Sequence, residues 1–171
     1  HGHHRRQRQM CIRDSYQIVL DAQLAAIDAC QVGNLYTDPH DAARTVLAEG
    51  LIRLGVISQS LDEALDPETG DLRKWYMHNT SHWIGLDVHD AGVYKPGGTP
   101  RVLEPGMCLT IEPGLYFGAW RPDVDCPERY ANIGIRIEDD VLITTDGPVV
   151  LTADCPKSID DIENIVGQDL A

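Results

Sequence analysis

The stretch His78-Asn79-Thr80-Ser81-His82-Trp83-Ile84-Gly85-Leu86-Asp87-Val88-His89-Asp90 packs three histidines and two aspartates among hydrophobic residues. Solvated loops seldom carry Trp83, Ile84, Leu86 and Val88, and cores seldom accept His78, His82, His89, Asp87 and Asp90 without partners. A metal ion or a polar active site would supply those partners, leaving the four apolar side chains mainly to packing. Downstream, Glu112 and Glu138 sit at polar positions of two strand-like segments, so that one imidazole, His82, and two carboxylates could converge. Hard divalent ions such as manganese favour carboxylate and imidazole donors over thiolates. Arg136 shares a strand face with Glu138, where its guanidinium could orient that carboxylate or a substrate carbonyl.

Each of these residues also has an ordinary reading. Isolated strand glutamates usually face solvent, and His82 alone could be a core histidine with its nitrogens satisfied. His78 and His82 stand four residues apart, as in zinc metallopeptidase helices, but Asn79 occupies the place where HExxH needs its glutamate.

The elements that must position these residues come in two blocks. Tyr16, Val19, Leu20, Leu24 and Ile27 recur at helical spacing from Ser15, with Asp14 or Ser15 available as N-cap and Gly33 beyond the end. Thr37 or Asp38 with Pro39 opens a second helix through Val46, Leu47, Leu51 and Leu54 that stops at Gly55, and His40 in its first turn reads as exposed. A short helix around Leu61 to Leu65 precedes a turn-rich loop, Asp66 to Gly70. Then the pattern changes to β. Met107 to Ile111 alternates Leu109 and Ile111 against Thr110 and Glu112, and Pro113-Gly114 breaks the run. Residues 118–132 form a polar loop, Ile133 to Thr144 is the clearest strand, Val149 to Leu151 a short one, and Ile159 to Val166 a final acidic helix. Helices first and strands afterwards indicate an α+β fold.

Composition bounds the rest. At 171 residues and 43% hydrophobic, the chain suits one domain. A net charge of −13 and a pI near 4.7 argue against nucleic-acid binding, which relies on clustered Lys and Arg. The five cysteines form no CxxC pair, and no apolar run approaches the roughly 20 residues of a membrane span, so a soluble protein of the reducing cytoplasm is expected. Residues 1–14 differ: Arg5, Arg6, Arg8 and Arg13 against Asp14 give +3 and leave −16 for the remainder. The string RQRQMCIRDS looks like translated sequencing-adaptor read-through, which marks this stretch as a non-native leader; a native basic tail is the alternative.

Taken together, His78 to Asp90, then Leu103-Glu104-Pro105-Gly106-Met107 to Glu112-Pro113-Gly114-Leu115-Tyr116, then Gly134-Ile135-Arg136-Ile137-Glu138-Asp139 closely resemble aminopeptidase P, the Xaa-Pro aminopeptidase of the pita-bread metallopeptidases. Three separated motifs occur in the right order, and the resemblance runs from residue 15 to about 166. It implies an N-terminally truncated pita-bread (creatinase/aminopeptidase) fold, with residues 15–171 a partial catalytic domain. It further implies that His82, Glu112 and Glu138 are ligands of a paired metal site, usually holding manganese. Two divalent ions would lower the pKa of a shared water, generating the attacking hydroxide, and would polarise the scissile carbonyl. Glu112 would carry a proton from that water to the leaving proline nitrogen. His78 and His89 would line the proline pocket, with His89 contacting the carbonyl as charge develops, and Arg136 would support Glu138 and substrate. The implied reaction releases the N-terminal residue of peptides with proline in second position, in a protein that is a homo-oligomer.

The chain departs from that family in one respect. The full domain also supplies two aspartates from an upstream β-hairpin and a further histidine, so three ligands of five remain. The resemblance therefore implies weak metal binding and no appreciable activity for this chain by itself, with an exposed strand edge and apolar surface. Prolidase, restricted to Xaa-Pro dipeptides, is the nearest alternative. A non-catalytic pita-bread binding protein and metal-free creatinase-like hydrolysis are both disfavoured by His82, Glu112 and Glu138. Asp87 and Asp90 receive no role.

Overall fold

The computed structural model describes residues 2–118, 121 and 124–166. Helix α1 spans Gly2–Asp28, so Asp14 and Ser15 lie in its interior and do not cap it. The Arg- and Gln-rich lead-in consists of good helix formers, and a change of charge along the sequence does not interrupt the backbone. Ile18, Val19, Ala22 and Ala26 form its buried stripe, whereas Leu24, expected to face the core, is exposed. Helix α2, Asp38–Arg53, starts with Pro39 in its first turn and has Thr37 at the N-cap position without a side-chain bond. The Asp38 carboxylate instead accepts from the Leu35 N–H at 2.8 Å. Gly50 lets α1 pack closely on α2: a Cβ there would lie 2.5 Å from Ile18 Cγ2. Helix α3, Leu61–Leu65, is held by a Ser60–Glu63 capping box, which satisfies donors at both positions.

Five strands follow: β1 Cys108–Ile111, β2 Gly114–Phe117, β3 Ile133–Arg136, β4 Asp139–Thr144 and β5 Gly147–Val150, before helix α4 Ile159–Ile165. They form an antiparallel sheet in the order β1-β4-β5 and a separate antiparallel pair, β2-β3. The single strand expected over Ile133 to Thr144 is thus two, interrupted at Ile137–Glu138, and the facing arm is interrupted at Glu112–Pro113. The cause is local. Pro113 has no N–H to offer the ladder, and what remains is a long bond from the Ile137 N–H to the Pro113 carbonyl, 3.4 Å. The register nevertheless continues across the gap: Ile111 faces Asp139 and Gly114 faces Arg136, which sets Glu112 opposite Glu138.

Strand alternation then divides the hairpin into two faces. Leu109, Ile111, Leu115, Phe117, Ile133, Ile137, Val141 and Ile143 are buried on the face where α1 contacts β1, β2 and β3. Thr110, Glu112, Tyr116, Arg136 and Glu138 share the other. Asp139 is the exception, a carboxylate only 1% exposed on the packed face. It is satisfied there by Gln23 Nε2 at 2.8 Å, Thr152 Oγ1 at 2.6 Å and Lys157 Nζ at 2.9 Å, tying α1, β4 and the segment before α4 together. Among the described residues no helix is long and apolar enough to cross a membrane.

Candidate metal centre

Three adjacent segments bring the acidic and imidazole side chains together. Residues 80–84 run antiparallel along the free edge of β1: Glu112 N–H donates to Thr80 O at 2.8 Å, Thr110 N–H to His82 O at 3.0 Å, and Ile84 N–H to Cys108 O at 3.1 Å. This register sets His82 opposite Thr110 and on the same face as Glu112, and β4 follows on the far side of β1 with Glu138 just before it. His82, Glu112 and Glu138 consequently offer ligand atoms that all lie within 4.8 Å of one another. His82 is half-buried, Glu112 buried and Glu138 exposed.

Proton positions show why this group suits a cation. His82 Nδ1 lies 3.2 Å from the Trp83 carbonyl, an oxygen that can only accept, so Nδ1 carries a proton there. A neutral His82 then directs the bare lone pair of Nε2 at Glu112 Oε1, 3.1 Å away. Glu138 adds a second carboxylate opposite the first, an arrangement that is destabilising for like charges on facing strands. Although Glu138 as a whole is exposed, partial desolvation of its carboxyl, followed by the charge of Glu112, pushes that group above its ordinary range. A divalent ion among three lone-pair donors removes both conflicts, and the donor set fits hard or borderline ions.

The remaining site residues form a connected rim. Arg136 Nη1 is 3.5 Å from Glu112 Oε2; the carboxylate it reaches is this one, diagonally across the hairpin, rather than Glu138 on its own strand. Arg136 Nε donates to Tyr116 Oη at 2.7 Å. The Tyr116 hydroxyl, 2.8 Å from His78 Nε2, therefore donates to that nitrogen, and His78 Nδ1–H donates to the Asn79 carbonyl at 2.8 Å. His89 is exposed, its ring centroid 4.3 Å from that of His82 in an edge-on arrangement. Thr110, fully inside the sheet, accepts from the His82 N–H at 3.0 Å and donates to Glu112 Oε1 at 3.0 Å.

Residues 85–90 depart from expectation. Trp83 is buried between Tyr36 and Tyr94, but Leu86 and Val88 are exposed and Ile84 is only half-buried. Period-two alternation ends with Ile84, because the loop turns back on itself: Asp90 N–H bonds Trp83 O at 3.1 Å, and Asp90 Oδ2 accepts from Leu86 N–H at 3.0 Å. Gly85 leaves the room that the Asp90 carboxylate fills. Sequence reasoning also passed over Thr110, Tyr116 and His40. The first two alternate in register with Glu112, which is the signal that could have found them. His40 is half-buried, not exposed, with Nδ1 2.8 Å from Thr80 Oγ1.

Comparison with known proteins agrees with this geometry. The chain is 42% identical to the Xaa-Pro aminopeptidase of Haemophilus influenzae over 154 residues, 90% of this chain and 34% of the relative. Its structure superposes on Pseudomonas aeruginosa aminopeptidase PepP with a TM-score of 0.82 at 42% identity, covering 89% of this chain and 34% of the other. It matches Escherichia coli aminopeptidase P, solved with the inhibitor Pro-Leu, with a TM-score of 0.81 at 40% identity, covering 91% and 34%. The chain thus spans about a third of the length of these relatives, the α+β portion of a pita-bread catalytic domain. The profile of metallopeptidase family M24 matches residues 5–145, and the chain belongs to that family.

Proposed function

We propose that this chain carries three ligands of the metal centre of an Xaa-Pro aminopeptidase, with manganese as the metal. The observation that supports it is the convergence of His82, Glu112 and Glu138 at the hairpin interruption. Divalent cations bound there supply Lewis acidity and a lowered pKa for water. The chain's own groups do the rest. Thr110 fixes Glu112 through Oε1 and Arg136 stands by Oε2, so this carboxylate is held in place to take a proton from water and pass it to the leaving proline nitrogen. His78, locked through Tyr116 and Asn79, forms a rigid wall for the proline ring. His89, exposed beside His82, contacts the scissile carbonyl and stabilises its developing charge. The substrate is a peptide with proline in second position, and the five unpaired cysteines support a cytoplasmic setting.

Among the described residues, the metal-binding group has three members, one imidazole and two carboxylates, whereas a close pair of dications needs further bridging carboxylates. By itself, this chain binds manganese more weakly than micromolar and does not turn over peptides. The test is a fusion of the chain to the upstream portion of the Haemophilus influenzae relative that it does not match. The fusion is expected to cleave Arg-Pro-Pro but not Arg-Ala-Pro, while the chain alone cleaves neither. A folded fusion that binds manganese and leaves Arg-Pro-Pro intact overturns the assignment, and two-ion micromolar binding with turnover by the chain alone overturns its proposed inactivity.

A further inference from the structure

We infer that His40, Thr80 and Tyr76 form a positioning network that holds Glu112 and His78 in register from the flank of the site, an inference that rests on the proposed role of those two residues. Thr80 is fully buried, and its three polar groups are all engaged. Its carbonyl accepts the Glu112 N–H at 2.8 Å. Its N–H reaches His40 Nδ1 at 3.3 Å, and its hydroxyl lies 2.8 Å from the same nitrogen and 2.6 Å from Tyr76 Oη. A backbone N–H can only donate, so His40 Nδ1 presents its lone pair and its proton resides on Nε2. The Thr80 hydroxyl then donates to His40, and the Tyr76 hydroxyl donates to Thr80. The bonds run in one direction, from Tyr76 through Thr80 to His40.

Two members of this chain of bonds, Tyr76 and Thr80, touch the site. The Tyr76 ring meets the His78 ring edge-on, with centroids 5.0 Å apart, while Thr80 holds the peptide of Glu112. His40 anchors the network on the first turn of α2, and it lines both the cavity that reaches His78 and the cavity that reaches His82. A hydrogen-bonded network that engages all three polar groups of a buried Thr80 specifies one geometry more sharply than apolar packing of the same volume would. His40 is therefore a positioning residue, set outside the metal group and acting on it through Thr80.

The network makes a chemical distinction between replacements of similar size. Asparagine can place its amide oxygen where Nδ1 stands, whereas leucine fills the space without an acceptor. The experiment measures His40 ring nitrogen shifts and amide hydrogen exchange in the metal-free 171-residue chain, its His40→Asn and His40→Leu forms, and Thr80→Val. We expect a neutral His40 with the proton on Nε2 at pH 7. Exchange at the Glu112 amide should be about tenfold faster in His40→Leu and Thr80→Val, and close to the parent rate in His40→Asn, as loss of roughly one hydrogen bond implies. A proton on Nδ1 overturns the inference in the unsubstituted chain, whatever the variants do. Unchanged Glu112 exchange in both His40→Leu and Thr80→Val, or equal acceleration in His40→Asn, overturns it as well. None of these readouts uses metal or activity, so they are separable from a failure of the aminopeptidase assignment.

Discussion

Glu112 faces Glu138 across the hairpin at the one step where the ladder between β1-β2 and β3-β4 is interrupted. Two carboxylates in that relation repel, and Pro113 beside them removes a backbone donor that would otherwise close the gap. The sheet therefore keeps a local defect whose cost a cation bound there would relieve. The proposed metal centre and the interruption of the strands coincide, and the consequences are measurable.

Replacing Glu138 by Gln should separate fold from site. In the metal-free chain it relieves a like-charge pair worth about 0.5 kcal/mol, raising the melting temperature by about 1–2 °C. With the parent chain, manganese at about ten times its Kd adds about 1.4 kcal/mol, or about 4 °C; Glu138→Gln should lose that gain. Thermal melts with and without metal decide it, and an undiminished metal-induced shift in the variant would count against Glu138 as a ligand.

Tyr116→Phe removes the acceptor of Arg136 Nε–H and the donor to His78 Nε2. Both partners retain access to water, so the loss of stability should be modest, about 1 kcal/mol. The informative change is at His78, whose ring nitrogens should lose their single tautomer. Ring nitrogen spectra that remain those of the parent would show that Tyr116 does not set the His78 proton.

The buried pair of Asp139 and Lys157 should respond asymmetrically. Lys157→Met strands a carboxylate that is almost fully enclosed, at a cost of about 3 kcal/mol, tempered by Gln23 and Thr152, which still donate to it. Asp139→Asn leaves an amide that those neighbours can still bond and a lysine with a route to solvent, and should cost less. Urea denaturation orders the two, and the reverse order would contradict the assigned burial.

His40 links the network to pH. Burial first, then the nearby Arg44 and His78 charges against the opposing effect of Asp41, hold its pKa below the ordinary 6.5. The unfolded chain therefore binds the proton first as pH falls, and folding stability contributed by neutral His40 is complete above pH 6.5 and declines through the window beneath it. Between pH 7 and 5.5 the urea midpoint should fall further in the parent than in His40→Asn. Parallel curves would remove His40 as the source.

Much of this was readable in advance where the determinants are local. Pro39 and Gly55 bracket α2, Leu61 to Leu65 mark α3, and alternating isoleucines mark β3. The motif residues His82, Glu112 and Glu138 could be gathered through family resemblance, but their contact depends on the register of residues 80–84 with β1, which no window of sequence contains. The same holds for Thr110, Tyr116 and Asp139, whose partners lie across strands or in α1. Helix α1 begins well before Asp14 and Ser15 because a change in charge composition does not interrupt helix propensity. Hydrophobicity alone predicts packing for Leu86 and Val88, whereas the turn closed by Asp90 leaves them exposed.

The most direct measurement is paramagnetic line broadening by substoichiometric manganese in the isotope-labelled chain. Resonances of His82, Thr110, Glu112 and Glu138 are expected to broaden first, and Glu138→Gln to abolish the pattern. Broadening centred instead on the histidines at positions 1, 3 and 4 or on the acidic helix α4, with the hairpin resonances unaffected, would contradict it.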